Sequence, residues 1–149
     1  MGAKYKIYNS YILSIFRYLV PVWGNCSVTN FDKIQVLQNR ALKTLYQLDY
    51  WIHTEELYRV LKVLPIADIL KIEQSKSIYK IINNLQKSNT EIRHLSQIHN
   101  YNTRHNDNIC LGKARTNIAL RNPIKAAADI FNNLSPIIKN QPSFGKFLR

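Results

Sequence analysis

The chain opens on a pattern too apolar for an ordinary surface helix. From Ala3 to Trp23 nearly every position is apolar or aromatic, and at about 100° per residue the polar residues Lys6, Ser10, Ser14 and Arg17 make only a narrow strip. Such a helix is expected to be buried. Arg17 interrupts the apolar run and Pro21 bends or ends the helix, so the segment falls short of the roughly 20 apolar residues that a membrane span needs. No membrane partner is expected. Gly24 then suits a left-handed residue closing the helix.

The next helix signal, Thr29 to Leu48, carries two chemically different sides. Phe31, Ile34, Leu37, Ala41, Leu42, Leu45 and Leu48 fall in one arc of roughly 140°, the width of a core-facing stripe. Opposite them lie Lys33, Asn39, Arg40, Lys43, Thr44 and Gln47, with Asp32 near the helix start as the sole acid of the segment. Thr29 reads as the N-cap, and Asp32 three residues later favours the positive end of the helix dipole.

An aromatic turn follows, Tyr50, Trp51, Ile52 and His53. Thr54 with Glu55 and Glu56 then reads as a new N-cap and first turn, opening a short helix to about Val63. Leu64-Pro65 interrupts, and a longer helix from about Ile66 to Leu85 aligns Ile66, Leu70, Ile78, Ile81, Ile82 and Leu85. The fold class expected is all-α, a small bundle of about four helices over residues 1–85. Residues 86–117 change to Asn, His, Ser, Thr, Arg and Lys and read as a polar loop or linker. Residues 118–149 are expected to be a C-terminal helical segment: Pro123 opens a helix, Asn132-Asn133 ends it, Ser135-Pro136 turns the chain, and Phe144, Phe147 and Leu148 mark an amphipathic tail. No stretch alternates with period two for long enough to form a sheet.

Charge alters this picture. The 149 residues hold 21 cations against 9 acids, a net +12, with the excess at both ends: six against two over residues 1–49, nine against two over 93–149. A chain this basic suits nucleic acid as partner. Lys and Arg on one helix face could equally be a solvated surface, so the distribution over the whole chain is what favours the polyanion. Lys33, Arg40 and Lys43 are the candidate phosphate contacts, and Arg104, Arg115 and Arg121 would extend the track. His99, Tyr101 and His105 interleave with those cations in a mixture suited to stacking on bases.

Catalytic chemistry finds little to use. Two-metal polymerase or nuclease sites need grouped carboxylates, whereas Asp32, Asp49, Asp68, Asp107 and Asp129 stand apart and capping accounts for Glu55-Glu56. No Gly-rich phosphate loop or nucleophile motif occurs. His94, His99, His105 and Cys110 are spaced too widely for a zinc module. The expectation is a chain with no catalytic site, metal or cofactor. Cys26 and Cys110, with no C-x-x-C spacing, suit a reducing interior, and no signal peptide opens the sequence, which predicts an intracellular protein, nuclear or cytoplasmic, and not a secreted one.

Tyr8-Asn9-Ser10-Tyr11-Ile12, Tyr18, Val22-Trp23-Gly24-Asn25, Leu37-Gln38-Asn39-Arg40-Ala41-Leu42-Lys43 and His53-Thr54 follow one another in an order that resembles the region after the polymerase domain of non-LTR (LINE-like, Jockey-type) retrotransposon reverse transcriptases. Tyr101-Asn102-Thr103-Arg104, Arg121-Asn122-Pro123-Ile124, Phe131-Asn132-Asn133-Leu134 and Ile138-Lys139 resemble the end of the same reading frame. The sequence departs from the family where Ser135 separates Leu134 from Pro136 and where Phe131 replaces a frequent Trp. The resemblance implies a thumb-like bundle and a C-terminal extension that hold the backbone of an RNA or DNA template-primer before an active site located elsewhere. A second reading stays open. In it the chain is a protein-interaction or oligomerisation module whose first helix and Phe144 to Leu148 tail pack on the polymerase body or on another copy. A third is a transposon relic with no selected function.

Overall fold

Pro21 decides where the first helix stops. Its ring and missing N–H are incompatible with a helical carbonyl four residues earlier, that of Arg17. In the computed structural model, which describes residues 2–18, 20–87, 92–101 and 106–147, the helix ends at Arg17, Tyr18 turns extended, and a new helix takes Pro21 in its first turn. The expected single helix is therefore several pieces: α1 (Ala3–Ile7), a π-helical stretch (Tyr8–Leu13), α2 (Ser14–Arg17) and α3 (Val20–Trp23). The π winding has a packing cause. Tyr8 and Leu13 are both buried, yet five residues apart on an α-helix they would point about 140° away from each other. Widening the turn to i→i+5 brings both onto one face.

Burial of the whole first segment does not occur. Ile7, Tyr11, Ile15, Tyr18 and Val22 are exposed, Ile15 at 72%, so the segment packs through one side only. Gly24 is not left-handed either. It is buried, and a Cβ there would collide with the Leu70 side chain and stand 2.6 Å from the Val20 carbonyl oxygen. Close approach, not backbone conformation, is what glycine supplies.

Helix α4 (Val28–Tyr46) is capped two residues earlier than expected: Ser27, not Thr29, is the N-cap and its side chain accepts the Asn30 N–H at 3.4 Å. Helix α5 (Thr54–Leu61) is likewise preceded by His53 as its N-cap, with Thr54 already helical and Glu55 and Glu56 in the first turn. Helix α6 spans Ile66–Ile82. Both α4 and α5 end on a left-handed non-glycine residue, Gln47 (φ 55°) and Lys62 (φ 52°), and Asn84 (φ 55°) follows α6 in the same conformation. At each stop the next N–H reaches back five residues, as when Leu48 donates to the Lys43 carbonyl at 2.9 Å, so an orphan carbonyl is satisfied.

The chain clusters into two compact units, Met1–Lys71 and Ile72–Arg149, dividing within α6. In the first unit Tyr8, Leu13, Leu42, Leu57, Val63, Ile66 and Ile69 form the core. Each such side chain, fully buried, contributes about 1.5–3 kcal/mol of transfer free energy. Leu37, expected inside, is 55% exposed. Gln38, one position on, takes the centre of the buried face with no accessible surface.

The second unit has its own core of Ile78, Tyr79, Ile109, Ala127, Ala128 and Phe131. Residues 93–96 and 106–110 pair antiparallel through Cys110 N–H to Arg93 carbonyl (2.8 Å), Leu95 N–H to Asn108 carbonyl (2.9 Å) and a bridge between His94 and Ile109. A 3₁₀ turn, Leu95–Gln97, sits beside it. Helices α7 (Asn117–Leu120), α8 (Pro123–Asn132), α9 (Pro136–Lys139) and α10 (Phe144–Phe147) follow. Asn132 behaves like a neighbouring strand: its side chain both accepts from the Ile109 N–H (2.8 Å) and donates to the Ile109 carbonyl (3.0 Å). Phe147 stacks on Tyr79 at 4.4 Å and Phe144 lies 5.8 Å from the same ring, so these tail aromatics pack within their own unit and are not free for a partner. Among the described residues the fold is all-α with no strand, as the sequence predicts, and no helix is long and apolar enough to cross a membrane.

Candidate nucleic-acid interface

Helix α4 owes its orientation to amides. Gln38 Nε2 donates to the Tyr8 hydroxyl (2.7 Å) and the Leu64 carbonyl (2.9 Å), while its Oε1 accepts from the Tyr58 hydroxyl (2.9 Å) and the Ile66 N–H (3.0 Å). Gln35 Oε1 shares the Ile66 N–H at 3.1 Å, and the Tyr58 hydroxyl donates to Asn39 Oδ1 at 2.6 Å. The Ile66 N–H is an orphan donor of the first turn of α6, so two glutamines of α4 cap another helix at long range. Burial pushes the Tyr58 hydroxyl pKa up, helped by nearby Tyr8 and opposed by the Gln35 hydrogen bond. Burial also raises Tyr8, against the Gln38 hydrogen bond and Arg17. Both therefore remain neutral hydrogen-bonding groups at physiological pH.

With Gln35, Gln38 and Asn39 turned inward, the outer side of α4 presents its cations. Lys33 and Arg40 are exposed and Lys43 half-buried. Ten residues of helix rise about 15 Å from Lys33 to Lys43, within an arc of roughly 80°, enough to span several phosphates of one strand. Lys43 is held rather than floating: its Nζ donates to the Tyr50 carbonyl at 2.6 Å and stands 5.3 Å from the Tyr50 ring centroid. Tyr50 in turn meets Trp51 edge to face, centroids 5.7 Å apart at 81°.

The remaining predicted contacts belong to the second unit. Arg115 and Arg121 are exposed, Arg121 directly after α7 as its C-cap. Arg104 lies outside the described residues, as do His105 and Leu148. His94 Nδ1 lies 2.8 Å from the Asp107 carbonyl, inside the antiparallel pairing. The second unit also holds a cleft of about 230 Å³ between Ile92, Ile109, Leu111, Ile124 and Ala128, edged by Lys113 and Lys125, and the Lys125 ammonium already donates to the Gly112 carbonyl.

Most motif residues named for the family resemblance are framework. Tyr8, Gln38 and Leu42 are buried, Trp23 Nε1 donates to the Tyr18 carbonyl (2.8 Å), Asn25 Nδ2 to the Pro21 carbonyl (2.7 Å), and Gly24 leaves room for Leu70. Of the Leu37 to Lys43 run, Arg40 and Lys43 carry the charge. Gln38 falls within the apolar arc of α4, whereas no periodicity signal marks Asn39, which only its Tyr58 partner in α5 shows to be internal.

No protein-family model matches the chain, and no solved structure matches it significantly. Over 76 residues, 51% of its length, it is 28% identical to a probable RNA-directed DNA polymerase from transposon BS of Drosophila melanogaster. Over 71 residues, 48% of its length, it is 28% identical to the RNA-directed DNA polymerase from mobile element jockey of the same fly. The matched stretch is 8% of each relative. About half of this chain is thus distantly related to a small part of retrotransposon RNA-directed DNA polymerases.

Proposed function

We propose that this chain is the nucleic-acid-holding helical part of a retrotransposon reverse transcriptase, thumb-like in its first unit and a C-terminal extension in its second, with no catalytic site or cofactor of its own. It acts inside the cell, in nucleus or cytoplasm, on the RNA or DNA backbone of a template-primer. The observation that carries this is the outer face of α4, where Lys33, Arg40 and a braced Lys43 stand clear of the amide network. The names of the relatives support the same partner. Arg104, Arg115 and Arg121 add contacts from the rest of the chain. The test is binding to a primer-template duplex at several salt concentrations with Lys33, Arg40 and Lys43 changed to Glu. Three lost phosphate contacts reduce the slope of log K against log salt by about 2–3 and weaken binding sharply. An unchanged slope and affinity would refute the assignment.

A second reading is favoured by a separate observation. Ile7, Tyr11 and Ile15, four residues apart, with Tyr18 and Val22 beyond them, leave an apolar stripe in water, the kind of surface that packs on protein. Here the partner is the polymerase body or a second copy. Sizing chromatography distinguishes them: a concentration-dependent dimer abolished by Tyr11→Glu and Ile15→Glu selects self-association.

A further inference from the structure

Trp51 is 85% exposed and Tyr50 77%, at the end of the basic face just described. Two adjacent aromatics in water leave a large apolar surface unburied, and packing does not account for them, since neither belongs to the first unit's core or to the side chains packed against it. The chain's other tryptophan, Trp23, is half-buried and spends its indole N–H on the Tyr18 carbonyl. Among the described residues the Trp51 indole N–H has no such partner.

The platform is fixed in place. Left-handed Gln47 stops α4, the Ile52 N–H donates to the Asp49 carbonyl (3.3 Å), and Lys43 clamps Tyr50 through both its carbonyl and its ring. Tyr50 and Trp51 meet edge to face, and most of the Trp51 side chain remains in solvent. A rigid aromatic face next to a helix bearing Lys33, Arg40 and Lys43, with Asp49, Glu55 and Glu56 the acids nearest to it in sequence, matches the chemistry of an unpaired base whose phosphates run along the cations of α4.

We propose that Trp51, supported by Tyr50, is a stacking site for an unpaired base where a duplex gives way to single strand. The proposal rests on the reading of α4 as a backbone-binding face, and names what lies at the end of that face. Charge complementarity favours nucleic acid over a protein partner, because an apolar protein surface would have to desolvate Lys43 and Arg40.

The experiment compares a blunt DNA duplex with the same duplex carrying a four-thymine overhang, using the full 149-residue chain and its Trp51→Ala and Trp51→Phe variants. Stacking predicts that the overhang binds about tenfold tighter than the blunt duplex, that tryptophan fluorescence is quenched only by the overhang, and that Trp51→Ala removes both effects while Trp51→Phe keeps most of the preference. Blunt binding without an overhang preference, or a preference that survives Trp51→Ala, overturns the stacking site and leaves the backbone face standing. Binding to neither duplex overturns both. A Trp51→Ala variant that loses self-association on a sizing column and leaves overhang binding as it was assigns the platform to protein and overturns the stacking site.

Discussion

Replacing Gln38 with Leu is the most informative perturbation of the framework, because the side chains are close in size and differ in what they bond. The change leaves the Ile66 N–H with Gln35 Oε1 and the Tyr58 hydroxyl with Asn39. It strips the Tyr8 hydroxyl of its Gln38 donor and removes a donor from the Leu64 carbonyl. A buried group left unpaired costs about 1–3 kcal/mol, and the part-shielded Leu64 carbonyl costs less because water can reach it. Against this a fully buried leucine side chain adds at least about 1.5 kcal/mol of apolar transfer. The net expectation is a loss of about 1–2 kcal/mol in chemical denaturation, read from the midpoint at constant m-value. Adding Tyr8→Phe removes the orphaned hydroxyl, so the double variant recovers about 1–2 kcal/mol over Gln38→Leu alone. A single variant within about 0.5 kcal/mol of the native chain, the size of ordinary surface changes, or a double variant no better than the single, would refute the network as a stability element.

Gly24→Ala drives a methyl into Leu70 and the Val20 carbonyl oxygen and is expected to cost about 1–3 kcal/mol in the same assay, whereas a left-handed glycine would betray itself by a positive φ that this one lacks. Gln47→Gly and Lys62→Gly relieve side chains held at φ 55° and 52° and should each raise thermal stability by about 0.5–1 kcal/mol; no gain at either position would sink that account of the helix stops. Raising pH tests the tyrosines: their folded pKa values lie above the unfolded value near 10, so the folded state keeps protons that the unfolded chain releases. Stability is then fully present below about pH 10 and falls as pH climbs through the folded values; denaturation midpoints from pH 8 to 11.5 should show the fall, and Tyr8→Phe with Tyr58→Phe should flatten it.

The helices were legible in the sequence because their signals are local. Thr54-Glu55-Glu56, Leu64-Pro65 and Asn122-Pro123 punctuate the chain close to where α5, α6 and α8 begin. What the periodicity misjudged depends on partners far along the chain. Leu37, at the edge of the apolar arc, stays exposed, while Gln38, which falls inside that arc, is buried because Tyr8, Tyr58 and the first turn of α6 reward an amide over a methyl group. The first segment reads as buried nearly all round by composition alone, yet among its described residues only Tyr8, Leu13 and Val20 are buried. Of the candidate interface, the cations of α4 were legible as a face. The bracing of Lys43 by Tyr50 was not, since seven residues separate them and the left-handed turn at Gln47 brings them together.

The π-helical stretch between Tyr8 and Leu13 has an evolutionary consequence. Remove one residue between those two anchors and they stand four apart, which an ordinary α-helix already places on one face. The widened turn therefore holds one residue more than the two anchors need, and a chain one residue shorter there should keep both anchors packed while losing the π winding.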